Sequence, residues 1–131
     1  MSVSKDEPES GLTPIIARIV FNSLTHAGIK GFRGPMESQQ IIFEAEDLSI
    51  HLRVSKPQED RVILGQIMQE SPGRFVSSTT VNLALGSNRI DSTVTNSLGE
   101  FRFGRVPVGA LTLEAQVTPK FVIANFKVIG D

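Results

Sequence analysis

Short segments in which apolar and polar residues alternate run through most of this 131-residue chain. Leu48, Ile50, Leu52 and Val54, for example, are separated from one another by single polar residues. A period of two places every second side chain on the same face of a β-strand, whereas a helix requires a period near 3.6. Because no stretch of about eleven residues keeps the helical period, the sequence predicts an all-β fold with very little helix.

Turn-forming residues separate the alternating segments at intervals of roughly eight to twelve residues. The predicted strands are 15–24, 48–54 within the segment 40–55, 61–69, 79–85, 89–95, 101–103, 111–117 and 121–129. Residues 41–43 either pair with the strand at 48–54 or lead into it. Strands at this spacing, joined by Gly, Pro and Asn turns, are typical of antiparallel sandwiches and barrels. We therefore predict an antiparallel β-sandwich.

The length of the chain corresponds to one domain of ordinary size. Residues 1–12 are polar and include Pro8 and Gly11, so we predict a flexible N-terminal tail followed by a single domain over 13–131. Residues 25–38 contain three glycines and a proline among scattered charges. This composition predicts a surface loop.

The charge balance and the absence of cysteine remove several function classes. Lys and Arg number 13 and Asp and Glu number 14, giving a net charge of −1, so no excess of positive charge is present to neutralise a nucleic-acid backbone. Without cysteine there are no disulfides, thiolate metal sites or cysteine nucleophiles. The chain is therefore not expected to bind nucleic acid.

No apolar run approaches the roughly eighteen residues that a membrane-spanning helix requires, so we predict no membrane span. Residues 1–10 lack the charged and apolar regions of a secretory signal. This favours a cytoplasmic protein, and secretion of a chain trimmed from a longer precursor is the alternative.

A dense motif lies in the second half of the chain. Residues 95–115 read TNSLGEFRFGRVPVGALTLEA, in which Gly99 and Pro107 with Gly109 are turn-forming residues, and Phe101 and Phe103 alternate as an inward pair. Together with Ile-x-Gly-x-Ile at 63–67, this order and spacing resembles the carboxypeptidase regulatory-like domain. The resemblance implies a seven-stranded, transthyretin-like β-sandwich, and it covers residues 61–128.

Residues 15–55 match no part of that pattern, so we expect them to supply extra N-terminal strands. Stand-alone domains similar to this one accompany bacterial signalling or surface proteins, which implies a protein partner here. Some transthyretin relatives are hydrolases that use histidine, but this chain has none after His51. The resemblance therefore does not support that activity.

The residues that usually carry chemistry are few. His26 and His51 are the only histidines, and no Gly-x-Ser-x-Gly motif is present, so we predict no catalytic residues. The acidic residues Glu44, Glu46 and Asp47 suggest calcium, but strand alternation would point Glu46 away from Asp47. We accordingly predict no metal and no cofactor.

We expect a non-enzymatic interaction or scaffold module that binds a protein partner. Ile29 and Phe32 lie among glycines beside Lys30 and Arg33, and apolar residues rimmed by charge are typical of contact sites. These four residues are the predicted partner-binding site, together with the adjoining strands within 41–54. The other reading of Ile29 and Phe32 is that they attach the loop to the sandwich.

Edge strands offer a second route to association, including a homo-oligomer. The alternative function is a small-ligand or carbohydrate-binding accessory domain. Carbohydrate sites usually rely on exposed Trp and Tyr, and here all eight aromatic residues are Phe. A transthyretin-related hydrolase is the third and least favoured reading.

Overall fold

The computed structural model describes residues 12–23 and 38–130. These residues form strands and turns without any helix, which confirms the predicted all-β class. The strands are β1 (Thr13–Ile16), β2 (Arg18–Asn22), β3 (Ser38–Ala45), β4 (Leu48–Ser55), β5 (Val62–Gln69), β6 (Arg74–Phe75), β7 (Thr80–Leu85), β8 (Asn88–Val94), β9 (Glu100–Phe103), β10 (Gly109–Val117) and β11 (Lys120–Val128).

The strands form two open sheets that pack as a β-sandwich. The five-stranded sheet has the order β1-β11-β10-β7-β8. The six-stranded sheet has the order β2-β3-β4-β5-β6, and β9 also pairs with β5. All pairings are antiparallel except that of β1 with β11. The antiparallel sandwich predicted from the spacing of the strands is therefore confirmed.

The prediction of a single strand over 15–24 is wrong, because the chain crosses from one sheet to the other within it. β1 lies beside β11 and β2 lies beside β3. The crossing residue is Ala17, which is buried and whose N–H donates to the carbonyl oxygen of Ile123 at 2.8 Å. A small apolar residue fits at this position because the chain passes close to the interior there.

The predicted segment 40–55 is a hairpin: of the two arrangements expected for residues 41–43, pairing with 48–54 is the one that the structure has. β3 pairs with β4 over eight residues, and the chain reverses at Glu46, which has a φ of 57°. Glu46 and Asp47 therefore occupy a turn, and the expectation that strand alternation separates their side chains is wrong. The extra N-terminal strands predicted from 15–55 are β1 to β4.

The core lies between the inner faces of the two sheets. One aromatic contact joins them: Phe43 of β3 meets Phe126 of β11 edge-to-face, with ring centroids 6.1 Å apart. The other large side chains with almost no exposure are Phe103, Ile41, Ile50, Ile63, Ile67, Leu83, Leu111 and Leu113. Burial of such side chains is the main favourable contribution to folding.

Gly65 leaves room for an aromatic ring. It lies opposite Phe101 in the pairing of β5 with β9, and a Cβ atom at Gly65 would overlap the ring of Phe101. Phe101 in turn meets Phe103 edge-to-face at 5.9 Å. The Phe101 ring therefore packs directly on the backbone of Gly65.

The turn before β9 depends on Gly99, which has a φ of 74°. Its carbonyl oxygen accepts a hydrogen bond from the N–H of Ile67 at 2.9 Å. Asn96 Oδ1 accepts hydrogen bonds from the N–H groups of Leu98 and Glu100, both at 2.9 Å. Turn chemistry thus holds β9 beside β5, as the motif predicts.

A small ionic cluster links the two sheets at one end of the sandwich. Lys120 Nζ, at the start of β11, lies 2.7 Å from Glu46 Oε1 and 3.2 Å from Asp47 Oδ1. Asp47 Oδ2 also accepts a hydrogen bond from Gln69 Nε2 at 2.9 Å. The hydrogen bonds from Gln69 and then Lys120 lower the pKa of Asp47, and those to Glu46 and then Asp47 raise the pKa of Lys120.

Replacing Gly65 by Ala should destabilise the protein by roughly 1–3 kcal/mol, the usual cost of overpacking a core. The added methyl group would force the Phe101 ring away from β5. Gly104→Ala is the matched control, because the nearest non-neighbouring atom to a Cβ there is 3.6 Å away in a flexible arginine side chain. Denaturant unfolding measures the free energy of unfolding of both variants. Equal stability of Gly65→Ala and Gly104→Ala would contradict this description of the packing.

Asp47→Asn should lower the melting temperature at neutral pH. A carboxylate with a lowered pKa stabilises the fold above its ordinary titration range, and this stabilisation is lost as the pH falls. The difference between the variant and the wild type should therefore shrink between about pH 5 and about pH 2. Glu59→Gln is the charge control, and a difference that stays constant with pH would exclude this role for Asp47.

Candidate functional site

The four predicted partner-binding residues, Ile29, Lys30, Phe32 and Arg33, lie outside the described residues. The structure shows the two strands from which their segment leaves and to which it returns. The N–H of Ser23, just after β2, donates to the carbonyl oxygen of Gln40 at 2.9 Å, and the N–H of Gln40 donates to Ser23 Oγ at 2.9 Å. The base of the segment is therefore closed by hydrogen bonds.

A shallow groove begins beside this base, on the face of the six-stranded sheet that points away from the core. Its volume is about 220 Å³. We call it the outer-face groove; the side chains that line it are Gln40, Ile42, His51, Arg53, Leu64, Gln66 and Glu100. Residues of β3 and β4 thus form one half of it and residues of β5 and β9 form the other.

The alternation of β3, β4 and β5 explains why these side chains point outward. Their neighbours Ile41, Leu52 and Gly65 are buried, so the intervening residues must face the other side of the sheet. The pairing register then aligns Ile42 with His51 and His51 with Gln66. A mixed apolar and polar surface results.

A second aligned set runs across the same face. Arg53 lies opposite Leu64 in the pairing of β4 with β5, and Leu64 lies opposite Arg102 in the pairing of β5 with β9. We call Arg53, Leu64 and Arg102 the cationic row. All three are exposed, Leu64 to 44%. Arg102 lies beside the groove rather than in its lining, and it borders a neighbouring depression that Val62 and residues 57–60 line.

Neither arginine of the cationic row forms an ion pair with any residue in the described ranges 12–23 and 38–130. Glu100 instead accepts a hydrogen bond from Asn96 Nδ2 at 3.1 Å, and Gln66 Nε2 donates to the carbonyl oxygen of Leu98 at 2.9 Å. Within these ranges, the two guanidinium groups thus have no carboxylate partner.

His51 contacts a serine, but the pair is a poor candidate for nucleophilic catalysis. His51 Nε2 lies 3.1 Å from Ser49 Oγ. Ser49 is only 2% exposed, so its hydroxyl group is not accessible to a substrate. A nucleophile must instead lie where a substrate can approach it.

The acidic residues considered for calcium do not converge. Glu44 pairs with Arg18 at 3.3 Å, whereas Glu46 and Asp47 contact Lys120. Over the described part of the chain, no group of three or more metal-ligating side chains is suitably placed for a metal ion.

The longest edge strand, β8, has features that hinder the addition of another strand. A register shift in its pairing with β7 lies between Leu83 and Ala84, and Asp91 Oδ1 accepts a hydrogen bond from the N–H of Ser92 at 2.8 Å. Irregular pairing and charge are the usual means by which edge strands are protected. The predicted homo-oligomer through edge strands stays a prediction.

In the described ranges, the structure contains no helix long and apolar enough to cross a membrane.

The predicted contact strands within 41–54 include Arg53 of the cationic row, whereas Leu64 and Arg102 were not predicted. Phe101 and Phe103 alternate with Arg102, and this alternation predicts that Arg102 faces outward. What the alternation does not reveal is that Arg102 lies next to Leu64, because this depends on which strand pairs with β9.

Comparisons with known proteins give no further information on this site. No family model, no curated protein and no solved structure matches the chain. The resemblance to the carboxypeptidase regulatory-like domain therefore stays a prediction based on the motif in residues 61–128.

Proposed function

We propose that this chain is a non-enzymatic interaction module whose protein partner contacts the outer-face groove. The observation that carries the proposal is the half-exposed side chain of Leu64 between two arginines that have no ion-pair partner among the described residues. An apolar residue surrounded by charged and polar groups is the usual composition of a protein contact surface.

The shape of the site favours a macromolecule over a small ligand. Ligand pockets usually enclose about 300–1,000 Å³ and bury most of their ligand, whereas the outer-face groove is open and holds about 220 Å³. None of the phenylalanines lines this groove, so a stacking platform for a sugar is missing from it.

The faces of the sandwich favour binding more than its edges do. β8 is protected by Asp91 and by its irregular pairing, and β1 has only four residues. The outer face of the six-stranded sheet, by contrast, presents side chains from four paired strands. We therefore assign the contact to side chains of the sheet face rather than to backbone pairing.

We further propose that Ile29, Lys30, Phe32 and Arg33 extend this contact surface. The segment that contains them begins and ends beside Gln40, which lines the groove. As the family resemblance implies, the partner would belong to a bacterial signalling or surface system.

The combined change His51→Ala and Leu64→Ser should reduce the amount of partner retained from a cell extract by roughly tenfold, because burial of an anchor at an interface often contributes more than 1 kcal/mol. Immobilised protein and quantitative mass spectrometry would measure this retention. Only proteins retained by the wild type are compared.

The matched control is Gln116→Ala with Ile90→Ser on the five-stranded sheet. Ile90 is 43% exposed, close to the value for Leu64, so the control removes a similar area from another surface. Equal retention of the same proteins by both double variants, at equal melting temperature, would overturn the assignment of the contact to the groove.

Phe32→Ala combined with Arg33→Ser should also reduce partner retention, by roughly tenfold, while leaving the free energy of unfolding within about 0.5 kcal/mol of wild type. Glu37→Gln is the control in the same segment. A loss of stability with full retention would show that these residues serve the fold instead.

A further inference from the structure

We propose that the outer-face groove recognises an extended acidic segment of a partner protein, in which an apolar residue lies between two carboxylates. The inference rests on the proposed binding function and adds the chemistry of the partner. It is carried by the cationic row and by the charges around it.

The cationic row places two positive charges on either side of an apolar side chain. Arg53, Leu64 and Arg102 lie on three adjacent strands in direct register. Because paired strands lie about 4.8 Å apart, the Cα atoms of the two arginines are about 10 Å from each other. Leu64 lies midway between them.

No carboxylate in residues 12–23 and 38–130 forms an ion pair with either arginine of the row. Glu100, two residues before Arg102, accepts a hydrogen bond from Asn96. Asp60 Oδ2 lies 3.8 Å from Arg105 Nε, and Glu59 borders the depression next to Arg102. No carboxylate of the described ranges is within 4.0 Å of a nitrogen of Arg53 or Arg102.

An extended peptide has the right repeat to match this row when it runs across the strands. Its residues i, i+2 and i+4 face the same way, and the first and last of them are about 13–14 Å apart. Arginine side chains are long and flexible, so two guanidinium groups whose Cα atoms lie about 10 Å apart can be separated by this distance. A segment of the form acidic, any, apolar, any, acidic would place its apolar residue on Leu64 and each carboxylate on one guanidinium group.

The apolar part of the surface favours a peptide over a phosphate backbone. Leu64 and Ile42 offer no hydrogen bond to a phosphate, and the net charge of −1 disfavours nucleic acid. A carboxylate-bearing segment with an apolar side chain uses both parts of the surface.

The test uses a fluorescent peptide with the core Glu-Thr-Leu-Thr-Glu between Gly-Ser flanks, and the whole chain as receptor. Binding is followed by fluorescence anisotropy at about 20 mM and about 200 mM salt. The comparison peptides carry Gln in place of both Glu residues, or Ser in place of Leu. A single-stranded oligonucleotide of similar length serves as the phosphate probe.

We expect the acidic peptide to bind more tightly than either comparison peptide and to weaken at the higher salt concentration. Arg53→Gln and Arg102→Gln should each weaken it by roughly two- to five-fold, which is the range for one exposed ion pair. Arg89→Gln removes the same charge from the other sheet, where Arg89 lies 3.8 Å from Glu114, and should leave binding unchanged.

Three results would overturn the inference: equal binding of the acidic and amide peptides, no binding of the acidic peptide at about 1 mM, or tighter binding of the oligonucleotide. The retention experiment with the double variant His51→Ala and Leu64→Ser decides the proposed function separately. If that variant loses the partner while the acidic and amide peptides bind alike, the groove is a binding site and only its acidic preference is wrong.

Discussion

The packing of the Phe101 ring on the backbone of Gly65 determines where β9 lies. No other residue than glycine leaves this space on β5, and the edge-to-face contact with Phe103 keeps both rings in the interior. Because β9 is only four residues long, few ladder hydrogen bonds hold it, and the burial of Phe101 and Phe103 adds to its attachment. The position of Arg102 on the opposite face follows directly.

The inner face of the six-stranded sheet packs in the core and the outer face carries the candidate site. Because both faces belong to the same strands, one pairing register fixes the positions of the residues on both. A shift of β9 by one residue would move Phe101 out of the core and turn Arg102 inward. Packing in the core strongly favours one register. This register then sets the spacing of the exposed side chains on the outer face, although those side chains contribute little to stability. The fold therefore places little restriction on the chemistry of outer-face residues, as long as their inward neighbours stay apolar.

Local patterns in the sequence predict several elements correctly. The alternation in 48–55 corresponds to β4, and the Gly-x-Phe-x-Phe motif corresponds to the turn at Gly99 and to β9. The split of 15–24 into β1 and β2 was not predictable in this way, because it depends on the contact of Ala17 with Ile123, far along the chain. The placement of Glu46 and Asp47 beside Lys120 depends on the same kind of distant contact. In the candidate site, the alternation of apolar and polar residues predicts that side chains such as His51 face outward. It does not predict which side chains lie beside them, because that depends on strand pairing.

The parallel pairing of β1 with β11 has a mechanical consequence. Thr13 lies beside Lys120, at the beginning of β11, while the chain leaves β11 at its far end after Val128. A force that pulls these two points apart acts along the strands and across the hydrogen bonds between them, so those bonds must break together rather than one after another. The pairing thus resists a force applied between Thr13 and Val128 better than an unzipping geometry would.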